Sequence, residues 1–252
     1  ISINASPVPQ FTFTPTCFGE TTCFTATVGN HSGNYIQSWQ WNFGDNSISQ
    51  TQNPCHTYSS TGSNTITLQV TDTNNCRSIT TAIADVNPVP QASFSTTNPC
   101  TNTSFQLIDE STISSGNINN WQWIINNDSA GTTSSINYIT ESAGLLPVTI
   151  IVSSDKSCSD TLTEYISVLV SPVSQFSMTP LISAPGELVS FTNSSLLADT
   201  YQWELGDGSN DTDSSITHIY NDTGMYIVSL ITINNNGCSD TLQKFHPVVI
   251  PA

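Results

Sequence analysis

The sequence predicts an all-β protein made of three tandem two-sheet sandwiches, and three observations carry that reading. Landmarks recur at an interval of about 80 residues: Trp41, Trp123 and Trp203 keep the same spacing as Cys76, Cys158 and Cys238, with Gly62, Gly144 and Gly224 a fixed distance before each cysteine. Self-similarity at a fixed period is the mark of repeated folding units. Inside each repeat the apolar residues alternate with polar ones, the period of a strand with one buried face, and no stretch carries a helical stripe. Gly, Asn, Asp and Ser clusters between these runs supply turns.

The joints recur as Pro7-Val8-Pro9-Gln10-Phe11, Pro88-Val89-Pro90-Gln91 and Pro172-Val173-Ser174-Gln175-Phe176. They place the modules at residues 1–88, 89–171 and 172–252. In the first module Trp39, Trp41 and Phe43 alternate along one strand, and Ile66, Leu68 and Val70 along a later one. Trp121, Trp123 and Ile125 with Val148, Ile150 and Val152 repeat this in the second. The third has Tyr201, Trp203 and Leu205, then Val228, Leu230 and Thr232. A buried Trp on a central strand, with several short strands per repeat, points to a sandwich with Trp41, Trp123 and Trp203 in its cores.

The residues after the tryptophans carry a family resemblance. Trp41-Asn42-Phe43-Gly44-Asp45-Asn46, then Pro54-Cys55-His56-Thr57-Tyr58 and Gly62, resemble the PKD (polycystic kidney disease) domain. The third module repeats the pattern as Trp203-Glu204-Leu205-Gly206-Asp207-Gly208, His218-Ile219-Tyr220 and Gly224. The second departs from it: Asn126-Asn127-Asp128 replaces the Gly-Asp turn, and Tyr138 and Thr140 stand at the His and Tyr places. The resemblance implies immunoglobulin-like sandwiches, arranged in a rod, used as spacers or interaction modules in extracellular proteins. Modules ending in Asn-Gly-Cys also resemble those of giant surface proteins of gliding or predatory Bacteroidota.

Composition narrows the partners. Lys and Arg number 3 against 19 Asp and Glu, for a net charge of −16, and about 38% of the chain is Ser, Thr or Asn. Nucleic-acid binding needs clustered cations to release phosphate counterions, and attachment to anionic lipid needs a basic patch. Arg77, Lys156 and Lys244 make neither. No long apolar run predicts membrane insertion. The opening residues read as a joint rather than a signal peptide, and Pro247-Val248-Val249-Ile250-Pro251 reads as another, as in a segment of a longer array.

Seven widely spaced cysteines without a C-x-x-C pair fit an oxidising, extracellular setting. A module of about 80 residues is marginal without a staple. Cys17 and Cys76 bracket the first module at nearly the offset by which Cys100 and Cys158 bracket the second, so each pair is expected to close its own module. Cys23 aligns with the inward positions Phe105 and Val189, which leaves a Cys23–Cys55 bond and two buried thiols as alternatives. Cys238 is the odd one, because Ala184-Pro185-Gly186 stands where the third module's early cysteine would be.

No nucleophile elbow, zinc-protease helix or P-loop is present, and the expectation is a non-enzyme. His56 and His218 share one repeat position, which favours a structural hydrogen bond over catalysis. Asp207, Asn210, Asp211 and Asp213 are the candidate cation ligands: alternating oxygens on a Gly-containing loop suit calcium, and the alternative is a solvated acidic turn. No other cofactor is expected. The function expected is a structural or adhesive stalk segment of a large, repetitive bacterial cell-surface protein. Its partners would be neighbouring repeats, further copies of itself (a homo-oligomer or filament, since strand edges lack protective charge) and an unknown surface ligand. The competing reading is a carbohydrate- or protein-binding accessory module of a secreted hydrolase, which needs exposed aromatics such as Tyr35 and Tyr165.

Overall fold

Each repeat places its tryptophan on a strand that pairs with one arm of a long hairpin. The computed structural model describes residues 6–29, 35–97 and 99–250, so the chain-end joints lie partly outside it, at residues 1–5 and 251–252. Among the described residues the regular elements are all strands, gathered in seven sheets.

In the third repeat one sheet runs Asn210–Asp211, Thr200–Glu204, Gly224–Ile233, Ser239–Val248, and the other Phe176–Thr179, Leu188–Asn193, Ile216–Ile219. The second repeat has the same two orders, with Asp128–Gly131, Ile118–Ile125, Gly144–Ser154, Ser159–Val168 opposed to Phe94–Thr96, Phe105–Asp109, Ser135–Tyr138. In the first, Thr16–Cys17 adds a parallel fifth strand beside Arg77–Asn87. Its other layer is divided into Val8–Thr12 with Thr25–Gly29, and Thr21–Cys23 with Cys55–Thr57. The chain is thus a tandem array of β-sandwiches.

The alternation seen in the sequence becomes the core. Ile66, Leu68 and Val70, then Val148, Ile150 and Val152, then Val228 and Leu230 are wholly buried, as are Trp41, Trp123 and Trp203. A phenylalanine from the opposite sheet meets each indole edge-on: Phe11 on Trp41 at 5.1 Å, Phe94 on Trp123 at 5.5 Å, Phe176 on Trp203 at 5.0 Å. Edge-to-face contact adds to the burial of two large rings. Every indole N–H also needs an acceptor, and each finds the carbonyl ten residues on: Thr51, Thr133 and Asp213, at 2.9–3.0 Å. Thr232 is buried where the other repeats have valine, with its hydroxyl satisfied by Ser174 at 2.9 Å.

The described chain forms two compact units, Ile1–Ser93 with Glu110–Gln122 and Ile150–Leu162, and Phe94–Asp109 with Trp123–Thr149 and Thr163–Ala252. Their boundary passes through the second repeat.

One register expectation is corrected. Cys23 is exposed, and the inward residues beside it are Thr22 and Phe24. Thr22, not Cys23, corresponds to Phe105 and Val189: it faces His56 as they face Tyr138 and His218, and all three are buried. The interval between the first two repeats is 82 residues at the tryptophans but one more here, and a one-residue slip moves a strand residue to the opposite face.

Candidate functional site

Two turns recur in the repeats, and they hold the polar chemistry of the molecule. The first follows the Trp strand. Asp45 accepts the Ser47 N–H at 3.0 Å, and its other oxygen meets His56 Nε2 at 2.7 Å. In the third repeat Asp207 takes the Ser209 N–H at 2.9 Å and meets His218 Nε2 at 2.6 Å. Burial would raise the Asp45 carboxyl, but its bonds to His56 and Ser47 outweigh that and hold it below the usual range. Asp207 is likewise held low, burial being opposed by Ser209 and His218. Beneath each histidine lies a buried tyrosine whose hydroxyl donates to the Phe43 or Leu205 carbonyl. Burial, with Asp45 nearby, pushes the Tyr58 phenol up to about 12.

The glycine before the aspartate is required by space as well as conformation. Gly206 has φ +84°, and a Cβ there would sit 2.7 Å from the Ile227 carbonyl oxygen. Gly44 is equally tight against Thr65. The second repeat escapes this constraint with a different turn. Asn126 and Asn127 both have positive φ, 51° and 70°, between Ile125 and Asp128, which face each other across the strands. A two-residue hairpin of the I′ kind needs positive φ at both positions, and Asn tolerates it. Aspartate and histidine are absent there together, as two halves of one interaction would be.

The second turn joins the strands of the long hairpin. The side chains of Asp72, Ser154 and Asn234 each accept backbone N–H bonds from residues two and four further on. Asn75, Ser157 and Gly237 then take positive φ of 62°, 64° and 81°. This is a three-residue loop closed by a left-handed residue, and it presents Cys76, Cys158 and Cys238 in the same way.

The bonding of those cysteines corrects the within-module scheme. Cys17 is bonded to Cys158, and Cys100 to Cys238, with Cα–Cα distances of 5.6 and 5.8 Å. Each bond lies inside one compact unit and joins an early cysteine to the turn cysteine of the next repeat. Cys76 is therefore the free cysteine among those described, and Cys238 is bonded. The physical reason is polarity. Cys17 and Cys100 pair in parallel beside Asn87 and Leu169, where the last strand of their repeat leaves it. The turn cysteine of the same repeat lies between the long strands of the hairpin, at the start of the strand that ends beside the early cysteine. Cys23 and Cys55 are bonded across two facing strands.

The PKD domain family matches residues 4–87 and 169–249. The chain belongs to the PKD-domain family. The matches cover the repeats that have the Gly-Asp turn and its histidine, and leave out the one that lacks both. A 49-residue stretch is 43% identical to collagenase ColA of Clostridium perfringens, spanning 19% of this chain and only 4% of that protein. The PKD1 domain of the Vibrio cholerae metalloprotease PrtV is 28% identical, matching 32% of this chain and 99% of its own, with a TM-score of 0.29. The PKD1 domain of Vibrio anguillarum Epp is 24% identical over 33% of this chain and 96% of its own, TM-score 0.31.

The PKD turn geometry gives two of the calcium candidates hydrogen-bond partners. Asp207 is engaged by His218 and Ser209, while Asp211 accepts the N–H groups of Thr212 and Asp213. The described residues hold no group of three His, Cys, Asp or Glu placed to hold a metal ion. His56 and His218 each lie on a strand and are paired to the aspartate of a tight loop. Their signal in the sequence was the joint loss of Asp and His in the second repeat. The inter-repeat bonding left a signal too, because the third repeat lacks an early cysteine but keeps the turn cysteine.

Exposure picks out one feature that sequence reasoning only half found. Tyr35 and Tyr165 are well exposed, and so are Ile83 and Phe245, which occupy the Tyr165 place in the other two repeats.

Proposed function

We propose that these PKD repeats are a non-enzymatic structural segment of an extracellular protein, a stalk whose successive modules are joined covalently. PKD domains are non-catalytic, extracellular modules. The observation that supports a mechanical role is the pair of disulfides running from one repeat to the next. Staples inside a module stabilise that module; staples between modules resist bending and separation at the joint. The joint prolines, with fixed φ, act in the same direction, and disulfides fit an oxidising compartment. Among the described residues no helix is long and apolar enough to cross a membrane. The parent would be a large repetitive bacterial surface protein whose ligand-binding part lies elsewhere, with side-by-side assembly of chains as a further element of this reading.

A second reading is an accessory binding module of a secreted hydrolase, favoured by the stretch shared with collagenase ColA and by the exposed Ile83, Tyr165 and Phe245, which hold the same place in each repeat. Co-sedimentation with fibrillar collagen and with insoluble polysaccharide separates the two. A stalk segment stays in the supernatant. Pelleting that is lost in Tyr165→Ser or Phe245→Ser would replace the stalk with the accessory module.

A further inference from the structure

Cys76 occupies a place whose two counterparts are both bonded. Its turn is built as theirs are: a side-chain cap from Asp72 onto the Cys76 N–H at 2.8 Å, and a left-handed Asn75 ahead of it. Cys158 and Cys238 are fully buried beneath the preceding repeat's cysteine, whereas Cys76 is half-buried and free. Both observed bonds have one direction, from the early cysteine of a repeat to the turn cysteine of its successor. At the other end, Ser183 pairs in parallel with Val248, as Thr16 does with Val86, so Ala184 takes the place of Cys17. The third repeat thus has no early cysteine to give, and the first has a turn cysteine with no partner among the described residues.

We propose that Cys76 is the receiving half of a third inter-repeat disulfide, and that its partner is a cysteine at the Cys17 place of a PKD repeat packed ahead of residue 7. The bond forms by loss of two protons and two electrons from the two thiols to a disulfide oxidant, an oxidoreductase disulfide in the cell or oxidised glutathione in the test tube, which leaves as two thiols. The inference rests on the bonding pattern of the repeats and not on what the array carries at its end, so it stands apart from the stalk reading.

The test lengthens the whole chain by a copy of residues 6–87 placed directly before Pro7, so that Asn87 of the copy enters Pro7-Val8-Pro9 as it enters Pro88-Val89-Pro90 in the natural chain. Both proteins are folded in a glutathione redox buffer, alkylated without reduction and mapped by mass spectrometry. In the natural chain Cys76 is alkylated. In the lengthened chain its labelling is lost, a peptide pair joins it to Cys17 of the copy, and the copy's own Cys76 becomes the labelled thiol. Cys17→Ser in the copy restores labelling at the original Cys76. Continued labelling of the original Cys76 in the lengthened chain overturns the proposal. So does a disulfide-linked dimer of the natural chain through Cys76, which would make a second copy the partner.

Discussion

A single β-carbon decides whether the Gly-Asp turn can close. A side chain at a left-handed position costs about 1–2 kcal/mol, and that charge applies to Gly206 and Gly208 alike, at φ +84° and +94°. The two differ in their surroundings: a Cβ on Gly206 meets Ile227 backbone at 2.7 Å, while one on Gly208 meets open space. Gly206→Ala is therefore expected to lower unfolding stability by about 3 kcal/mol or more, and Gly208→Ala by about 1; equal losses in denaturant unfolding would contradict the close approach. The aspartate next to it sets an acid limit. Folded Asp45 and Asp207 titrate below their ordinary value of 3.8. Each therefore contributes stability that is present above that pH and lost as pH falls through the folded value. Asp45→Asn and Asp207→Asn should flatten stability against pH below about 4, read by tryptophan fluorescence during acid titration.

At the scale of the element, the hairpins and the Trp strands could be placed from alternation alone, because period two and a single buried face are properties of local sequence. Face assignment failed at Cys23, where one residue more between repeats reversed the strand, and loop length is invisible to a pattern that only counts periods. In the candidate calcium loop Asp207 and Asp211 accept N–H groups of their own turns, an arrangement set by backbone geometry that residue spacing does not show. His246 was likewise silent in the sequence. It lies wholly buried on the final strand, bonded to the Ser183 hydroxyl at 3.0 Å and stacked on Tyr220. Ala84 and Ile166 hold its place in the other repeats. Burial holds its imidazole below the ordinary value, against the opposing pull of Glu187 and the Leu181 carbonyl. The unfolded chain thus takes up this proton first, and the contribution present above about pH 6.5 is lost as pH falls towards the folded value. Thermal unfolding near neutrality and near pH 5 should show the third repeat weakening, and His246→Gln, which keeps a donor for Ser183, should remove that dependence. An unchanged slope in the variant would assign it to other groups.

Connectivity between repeats is a property of the whole molecule, and spacing alone pointed to the wrong one, since the same seven cysteines allow a closed bond in each module or an interlaced pair across modules. Cys17 and Cys158 are separated by 141 positions in sequence, and Cys100 and Cys238 by 138. By the chain-entropy relation each bond is worth up to about 5 kcal/mol. The loops interlock, because Cys100 lies within the first and Cys158 within the second. A load applied at the two ends therefore takes a short covalent route: to Cys17, across to Cys158, back along the chain to Cys100, across to Cys238 and out. That route contains roughly a third of the residues, so the oxidised chain pulled from its ends should stop at about a third of the contour length of the reduced chain, taking about 3.5 Å per extended residue. Bonds closed within modules, Cys17 to Cys76 and Cys100 to Cys158, would instead allow slightly more than half by the same measure. Single-molecule stretching distinguishes the two, and a reducing agent should release the full length in either case. A stop near one third means that unfolding under load surrenders little length, which is what a tether gains by stapling each module to the next; a stop beyond half would return the bonds to the modules and leave the joints to non-covalent contacts.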